Sequence, residues 1–274
     1  MRTLLRCVAL LVCAIPMLAG QTAIGQDTKI VLIAGKPSHK SGDHEFNAGT
    51  KLLVKRLKEI KGIDPVFVAG GWPEDESVFE GAKAVVFYMD GGSAHPMIQG
   101  NRLATMQKLM DKGVGLVCLH YAVEFPKEVS DKIIPWLGGY YETGYSTNPD
   151  SDATVTPAEG HRITRGVKPF QILDEWYYRI RFKDGDTRVK PILTATHLKD
   201  NPNPDTVAWA TERENGGRSF GFTGGHYHKN WANNDFRRLI LNAILWSAKV
   251  RVPREGVVSS DVPDAELALN LDKK

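Results

Sequence analysis

The last two histidines of the sequence, His226 and His228, have a spacing that suits metal binding. In an extended segment, residues two positions apart point to the same side, so both imidazoles could bind one divalent ion. Either His44 or His120, or the carboxylate of Glu175, could complete a set of three or four ligands. A metal ion held in this way polarises a carbonyl or activates water, which suits isomerase, lyase or hydrolase chemistry. The H-x-H spacing therefore makes His226 and His228 candidate metal ligands.

Acid–base chemistry without a metal is the second possibility, and it centres on His120. This histidine directly follows the apolar run 114–119, where a titratable ring needs a partner. With His120 as general base and Glu175 as acid, the protein could abstract a proton next to a carbonyl. His120 and Glu175 are therefore the candidate catalytic residues.

Glycines, aromatic rings and carboxylates near these histidines are candidates for binding a sugar. The pair Gly91-Gly92 would let backbone N–H groups approach a hydroxyl or an oxyanion closely, and a plain tight turn is the alternative explanation. Strand-like alternation along 174–178 places Glu175 and Tyr177 on one face and the other three side chains on the opposite face. A carboxylate beside aromatic rings can bind a sugar, although the tryptophan of this segment could equally be a core residue. The candidate substrate-binding residues are His44, Asp90, Gly91, Gly92, Tyr121, Trp176 and Tyr177.

The other histidines and the last cysteine have simpler interpretations. His39 and His95 lie in polar segments and are predicted to be solvated, whereas His161 and His197 are predicted to be structural. Cys118 lies inside an apolar run, without the G-x-C-x-G turn of a nucleophilic cysteine, and burial makes a thiol inert. A cysteine nucleophile is therefore not expected.

Alternating strands and helices must position these residues. Ligands of open parallel sheets bind beyond the carboxyl ends of the strands, so we expect His44, His120, His226 and His228 to line one pocket there. In the first half, apolar runs predict strands at 29–34, 66–69, 84–89 and 114–119, and helical periodicity predicts helices at 47–61 and around 103–110. In the second half, strands are predicted at 153–157, 170–180, 191–196, 207–211 and 218–222, followed by a helix capped by Asn233.

Composition and the N-terminus indicate an exported globular protein. Of the 274 residues, 42% are hydrophobic and 24% are charged, which excludes a disordered chain and a multi-span membrane protein. A basic start, an uncharged stretch at 7–19 and small residues at 23–25 predict a signal peptide over 1–25, a domain over 26–250 and an extended surface tail over 251–274. Without Arg2 and Arg6, the basic and acidic residues number 33 and 32, so neither nucleic acid nor stable membrane association is expected. The mature protein is predicted to be periplasmic or secreted.

The order of these motifs resembles the ThuA-like, or trehalose-utilisation, family. The resemblance rests on VLIAGKPSHKSGDHE, GLVCLHYAVE, DEWY, and GRSFGFTGGHYHKNW followed by FRRLILNAILWSA, and it covers about 29–250. It implies a class I glutamine amidotransferase-like fold, which is a three-layer α/β/α sandwich with a mostly parallel, flavodoxin-like sheet. The strand-like runs between 141 and 225 predict an antiparallel β extension or an inserted hairpin layer on the same sheet. By matching position, it assigns the recurring polar residues of the family to His44, His120, Glu175, His226 and His228. One departure is the sequence Ser41-Gly42-Asp43 before His44, where the family usually has an aromatic residue and an arginine.

Two classes of function remain open at this point. The resemblance implies a role in handling trehalose or related disaccharides, including their 3-keto derivatives. An enzyme would use histidine and carboxylate acid–base chemistry or a divalent metal ion, whereas a periplasmic carbohydrate-binding protein would use the same residues without turnover. A small carbohydrate is the expected partner in both cases, and the sequence does not specify an oligomeric state.

Overall fold

The computed structural model describes residues 27–274, so the predicted signal peptide lies outside the described residues. Its elements are β1 (Thr28–Ala34), α1 (Phe46–Lys58), β2 (Ile63–Val68), β3 (Ala84–Tyr88), α2 (Arg102–Asp111), β4 (Gly115–Leu119), α3 (Ser130–Leu137), β5 (Gly139–Tyr140), β6 (Asp150–Pro157), β7 (Phe170–Glu175), β8 (Arg181–Phe182), β9 (Val189–Thr196), β10 (Asp205–Glu212), β11 (Arg218–Phe222), α4 (Asn234–Ser247) and α5 (Asp264–Leu267). No helix within 27–274 has the length and apolarity needed to cross a bilayer.

A nine-stranded mixed sheet forms the middle layer, in the order β2-β1-β3-β4-β11-β10-β9-β6-β7. The first five strands of this order are parallel, and β10, β9, β6 and β7 extend the sheet with antiparallel pairing. Every residue of β3 and β4 is buried, because helices cover both faces of the parallel part. The core on one face includes side chains of α1 and α4, and the core on the other includes side chains of α2 and α3. The predicted α/β fold class, with its antiparallel extension, is confirmed.

The structure differs from the predicted elements at three places. Helix α3 was not predicted, because its eight residues are too few to show a clear helical periodicity and include Pro135, which usually interrupts a helix. The predicted strand 170–180 ends at Glu175, and Arg179 has a left-handed backbone conformation (φ 55°) that an extended strand cannot contain. The segment predicted as an extended surface tail buries Val252, Val257 and Val262 and includes α5, because these apolar side chains cover the edge of the core.

Candidate functional site

Three imidazoles and one carboxylate meet at the carboxyl ends of the parallel strands. The Nε2 atom of His44 lies 3.0 Å from Nε2 of His120 and 2.9 Å from Nδ1 of His226. The Oε2 atom of Glu175 lies 3.5 Å from Nε2 of His120 and 3.2 Å from Nδ1 of His226. One ligand atom from each residue lies within 4.8 Å of the other three. We call His44, His120, Glu175 and His226 the histidine cluster.

Two neighbouring parallel strands and one loop deliver the three histidines. His120 directly follows β4, and His226 follows β11, which pairs with β4. His44 lies in the loop between β1 and α1, and its backbone N–H donates to the carbonyl oxygen of His226 at 2.9 Å. An isolated bridge between Asp43 and Tyr227 extends this pairing. The His44 loop is therefore attached directly to the loop that carries His226.

The carboxylate of the cluster comes from the other end of the sheet, at the end of β7. In hydrogen-bonding order, β7 is four strands from β11, which is about 19 Å in a flat sheet. Asp174 nevertheless accepts hydrogen bonds from the backbone N–H groups of Gly225 at 2.7 Å and His226 at 2.9 Å. The antiparallel extension must therefore curl over the strand ends, and this curl brings the adjacent Glu175 to the histidines. Burial raises the pKa of Asp174, so its carboxylate form depends on these donors.

Acceptor groups around the cluster determine which nitrogen of each ring carries the proton. Nδ1 of His120 lies 2.8 Å from the carbonyl oxygen of Thr223, which can only accept, so Nδ1 is the donor. Nδ1 of His44 lies 3.1 Å from Oδ1 of Asp90 and donates in the same way. In the neutral rings, Nε2 of His44 and Nε2 of His120 therefore both carry lone pairs, and these lone pairs face each other across 3.0 Å.

The third histidine faces carboxylates on both sides. Nε2 of His226 lies 3.2 Å from Oδ2 of Asp43, and its Nδ1 lies 3.2 Å from Glu175. Although burial acts in the opposite direction, the hydrogen bond and the negative charge of Glu175 raise the pKa of His226. Burial lowers the pKa of His44 to about 3, so this ring is neutral at physiological pH. Burial alone would raise the pKa of Glu175, but His120 and His226 hold it well below its usual range.

The backbone of the cluster is held in uncommon conformations. His44 and His120 both have positive φ angles, 47° and 54°, a region that non-glycine residues rarely adopt. Gly225, beside His226, has a φ of 115°, and its carbonyl oxygen accepts a hydrogen bond of 2.5 Å from the buried hydroxyl of Tyr88. Such conformations persist only where the surrounding structure enforces them, and they concentrate at functional sites.

The end of the described chain braces the loop that carries His44. The backbone N–H of Asp272 donates to Glu45 at 2.6 Å, and the ammonium of Lys274 lies 3.3 Å from the same carboxylate. Glu45 also accepts from the backbone N–H of Gly42 at 2.8 Å, and Lys274 donates to the carbonyl oxygen of Asp43. Residues before and after His44 are therefore fixed by contacts from the C-terminal segment.

A cleft of about 450 Å³ is lined by Tyr121, whose ring lies between it and the cluster side chain of His44. Its wall includes Gly91, Gly92, Tyr121 and Glu124, and the Tyr121 ring centre lies 5.9 Å from that of His44. A Cβ atom on Gly91 would overlap the backbone oxygen of Tyr121, so only glycine allows this close approach. Burial raises the pKa of Glu124, whose Oε1 accepts a hydrogen bond from Thr143 at 2.8 Å. Glu124 is not among the residues predicted for the site, although it lies only four residues after His120.

The structure brings most predicted site residues together but separates two of them. Asp90 contacts His44, and Tyr177 is buried against His120 with ring centres 4.8 Å apart. Trp176 is 0% exposed and packs edge-to-face on Phe222, so it is a core residue and cannot contact a substrate. The predicted alternation of side chains between the two faces continues beyond the end of β7, because Trp176 points to one core layer and Tyr177 to the other.

His228 is also placed away from the cluster, contrary to the prediction that it would line the same pocket. His226 and His228 would point to the same side only in an extended segment, but a 3₁₀ helix begins at His228 and turns its ring away. Nε2 of His228 bonds to the carbonyl oxygen of Leu267 at 3.1 Å. The second partner of the predicted metal pair is thus tied to the segment that contains α5.

Two further histidines near the site differ in their environments. His39 is exposed as predicted and lies against His44, with ring centres 3.7 Å apart. His95 was predicted to be solvated but is 0% exposed, because its ring stacks on Phe125. The buried thiol of Cys118 has a raised pKa, as the sequence indicated.

The histidine cluster suits a first-row transition metal. Imidazole nitrogen and carboxylate oxygen bind zinc at about 2.0–2.2 Å, so neighbouring ligands lie about 2.8–3.6 Å apart at bond angles between 90° and tetrahedral. Four of the six separations between the ligand atoms, 2.9, 3.0, 3.2 and 3.5 Å, fall inside this range, and all six are within 4.8 Å. Ligand histidines generally donate their other nitrogen to a carboxylate or a carbonyl group, as Nδ1 of His44 and Nδ1 of His120 do here, and Nε2 of His226 faces Asp43 at 3.2 Å.

Comparisons with known proteins agree with this architecture. A ThuA-like protein from Bacteroides uniformis is 15% identical, with a TM-score of 0.60, and the alignment covers 84% of this chain and 94% of that one. A ThuA-like protein from Parabacteroides merdae is 19% identical, with a TM-score of 0.55 over 81% and 90% of the two chains. The carbohydrate deacetylase Agd3 is 12% identical, with a TM-score of 0.52 over 81% of this chain and 32% of that one. At these identities the likeness concerns the fold alone. No curated protein matches the sequence. The family model described as ThuA, trehalose utilisation, matches residues 31–247, and the chain therefore belongs to the ThuA family.

Proposed function

We propose that this protein is a metal-dependent enzyme that acts on a small carbohydrate. The histidine cluster would hold one divalent ion, and the adjacent cleft would hold the sugar. The family description, trehalose utilisation, supports the carbohydrate part of the proposal. The name of one structural neighbour, a carbohydrate deacetylase, is compatible with it.

The observation that carries the metal part is the convergence of four potential ligand atoms, one each from His44, His120, Glu175 and His226, within 4.8 Å of one another. Nε2 atoms of two neutral rings repel each other at 3.0 Å unless a proton or a cation lies between them. Burial lowers the pKa of His44 to about 3, so this neutral ring offers the lone pair of its Nε2 atom. A metal ion would accept both lone pairs together with those of His226 and Glu175.

Residues around the cluster hold the four candidate ligand side chains in position. In each ring, the nitrogen that points away from the cluster centre has an oxygen partner. Asp90 and the carbonyl oxygen of Thr223 accept hydrogen bonds from such nitrogens, and Asp43 lies 3.2 Å from the third. Asn148 donates to the other carboxylate oxygen of Glu175 at 3.0 Å. Such outer partners set the tautomer and the orientation of ligands and raise their basicity.

Glu124 is the group that we assign to proton transfer with the substrate. It lines the cleft, is held by Thr143, and has a pKa raised by burial, as a general acid or base near neutral pH requires. A bound divalent ion supplies Lewis-acid polarisation of a sugar oxygen or activation of water. Tyr121 borders both the cleft and the cluster, and could orient a hydroxyl between them.

Metal content tests the first half of this proposal. The purified chain is dialysed against zinc, manganese or nickel, and bound metal is measured by elemental analysis. We expect about one ion per chain and a dissociation constant more than about 100-fold higher in His44→Ala, since loss of a ligand should exceed the 10–100-fold cost of losing an outer partner. His197→Ala is the matched control, because this histidine is exposed and outside the cluster. A wild-type chain that binds no metal, or equal binding in His44→Ala, would overturn the metal assignment.

Sugar binding and turnover test the second half. Titration calorimetry with trehalose, sucrose and their 3-keto forms identifies a ligand, and product analysis identifies turnover. Glu124→Gln should keep most of the affinity and lose about 10²–10⁴-fold in rate. A chain that binds a sugar and never converts it would instead be a carbohydrate-binding protein, which was the alternative from the sequence.

Export is proposed from the sequence pattern of 1–25 alone. If the signal peptide is cleaved as predicted, N-terminal sequencing of the protein from its native cells should begin at Gln26. A chain that retains Met1 would contradict this proposal.

A further inference from the structure

A second cavity of about 480 Å³ lies at the opposite end of the sheet from the histidine cluster. Arg218 on its wall begins β11, and Lys249 follows α4, whereas the cluster lies beyond the carboxyl end of β11. The remaining lining residues come from the loop after β6 and from the segment after α4. The six basic side chains that line it are Arg162, Arg165, Arg218, Lys249, Arg251 and Arg254, accompanied by Val250 and Val252. We call this cavity the basic pocket.

The basic pocket stands on a rigid frame. Asn242 of α4 is fully buried, and its side-chain nitrogen donates to the carbonyl oxygens of Ile163 at 2.8 Å and Arg165 at 2.9 Å. Its side-chain oxygen accepts from the backbone N–H of Val257 at 2.8 Å. One side chain thus fixes both loops that carry the arginines. Because the backbone of these loops is already held in place, ligand binding would not have to order it, which lowers the entropic cost of binding.

Two of the six cations are also held in place, while the other four are exposed. Arg165 donates to the carbonyl oxygen of Val252 at 2.7 Å, and Arg218 donates to that of Trp246 at 3.2 Å. The guanidinium of Arg218 also lies over the Trp246 ring, 5.0 Å from its centre. Their planar faces are therefore fixed, and the exposed heads of Arg162, Lys249, Arg251 and Arg254 surround them.

The charge of the basic pocket is poorly compensated within the described chain. Only two of its cations have ion pairs: Arg218 lies 3.8 Å from Glu212, and Arg254 lies 3.9 Å from Glu255. Both carboxylates are largely exposed, at 62% and 85%, and exposed pairs of this kind contribute little. The whole sequence has a formal net charge of only +3, so six cations around one cavity are a marked local excess.

We propose that the basic pocket binds a multiply charged oxyanion, a phosphate or sulfate group or a pair of such groups. Guanidinium groups bind these oxyanions with two parallel hydrogen bonds, and an ammonium adds a point charge. A cavity of about 480 Å³ is large enough for two linked oxyanion groups. This site is separate from the proposed carbohydrate site, and its existence does not depend on a metal in the histidine cluster.

Calorimetry with pyrophosphate, inorganic phosphate and sulfate tests the proposal. The chain is first freed of metal by a chelator, because pyrophosphate would also bind an ion in the histidine cluster. Arg162→Ser with Arg251→Ser should raise the dissociation constant for pyrophosphate by about tenfold or more, since two charge-assisted contacts are lost. Lys58→Ser with Lys61→Ser is the control, because it removes the same charge from exposed positions next to β2, four strands away from β11, and should change the constant less than about twofold.

The outcomes are distinct. A loss restricted to the arginine pair supports the site, and tighter binding of pyrophosphate or of sulfate identifies which oxyanion it prefers. Equal losses in both double variants would mean general charge attraction and would overturn the proposal. Absence of binding to the wild-type chain at millimolar pyrophosphate would overturn it as well.

Discussion

Asp174 offers the sharpest test of how the fold holds the histidine cluster. Its carboxylate is fully buried and accepts four hydrogen bonds. Oδ1 accepts from the backbone N–H groups of Glu175 and His226, each at 2.9 Å. Oδ2 accepts from Gly225 at 2.7 Å and from the side-chain amide of Asn230 at 3.0 Å. This single carboxylate therefore joins the end of β7 to the loop after β11.

The substitution Asp174→Asn preserves the size of the side chain but replaces one acceptor with a donor. In either orientation, the new amide nitrogen faces two N–H groups that have lost their partner. Each buried donor without a partner costs about 1–3 kcal/mol, so the free energy of unfolding should fall by about 2–6 kcal/mol. Because burial raises the pKa of Asp174, the carboxylate is itself costly to bury, and the neutral amide recovers part of the loss. We therefore expect the lower half of that range.

Urea unfolding of metal-free protein measures this loss, and zinc titration measures its consequence for the site. Movement of the His226 backbone should weaken zinc binding by about 10–100-fold, as for other outer partners of metal ligands. Asp152→Asn is the matched control, since Asp152 is exposed on the neighbouring strand and should change stability by less than about 0.5 kcal/mol. If Asp174→Asn also stays within that limit and binds zinc normally, the carboxylate does not hold the two segments together.

Three further predictions address backbone fit, pH and metal binding. Gly91→Ala should lower the free energy of unfolding by about 1–3 kcal/mol in urea, because the added Cβ overlaps the oxygen of Tyr121; an unchanged midpoint would contradict the close approach. Burial lowers the pKa of His95 to about 4, so the unfolded chain binds a proton that the native chain does not, and stability falls as pH drops from about 6.5 to 4. The contribution lost between pH 7 and pH 5 is about 2 kcal/mol, and His95→Gln should show a pH dependence smaller by that amount. Zinc at about 100 times its dissociation constant should stabilise the chain by about 2.7 kcal/mol and raise Tm by about 5–10 °C, and His44→Ala should abolish that shift.

The ends of the parallel strands could be predicted from the sequence because each strand is a short apolar run that is recognisable without its neighbours. Runs such as 114–119 are apolar on both faces, and the register of parallel strands then aligns their carboxyl ends. His120 and His226 follow two such strands, and their proximity is a direct consequence. Glu175 was selected through the family resemblance and its neighbouring aromatic residues, but its approach to the histidines depends on the curl of the antiparallel extension, which no local pattern reports.

The errors arose where contacts distant in sequence decide the environment. His95 lies in a polar segment, yet Phe125, thirty positions later, stacks on it and buries it. His228 shares the H-x-H spacing with His226, but the 3₁₀ helix that begins there breaks the alternation on which the spacing argument depends. Trp176 directly follows β7, next to Glu175 in the sequence. Its ring packs on Phe222 in the core, and it is the ring of the next residue, Tyr177, that packs on His120. In each case the sequence does not show which way the side chain points or which distant residue packs against it.

The geometry of the histidine cluster is best understood as a structure enforced from outside. His44 and His120 adopt left-handed backbone conformations, which cost free energy, and their Nε2 atoms lie 3.0 Å apart. Contacts that do not involve the cluster centre hold this arrangement: Asp174 joins the end of β7 to the loop after β11, and Glu45 ties the His44 loop to the C-terminal segment. A divalent cation would bind all four ligand atoms of this cluster without a large movement of any of them. Their convergence is therefore an argument for metal binding that is independent of the family to which the chain belongs.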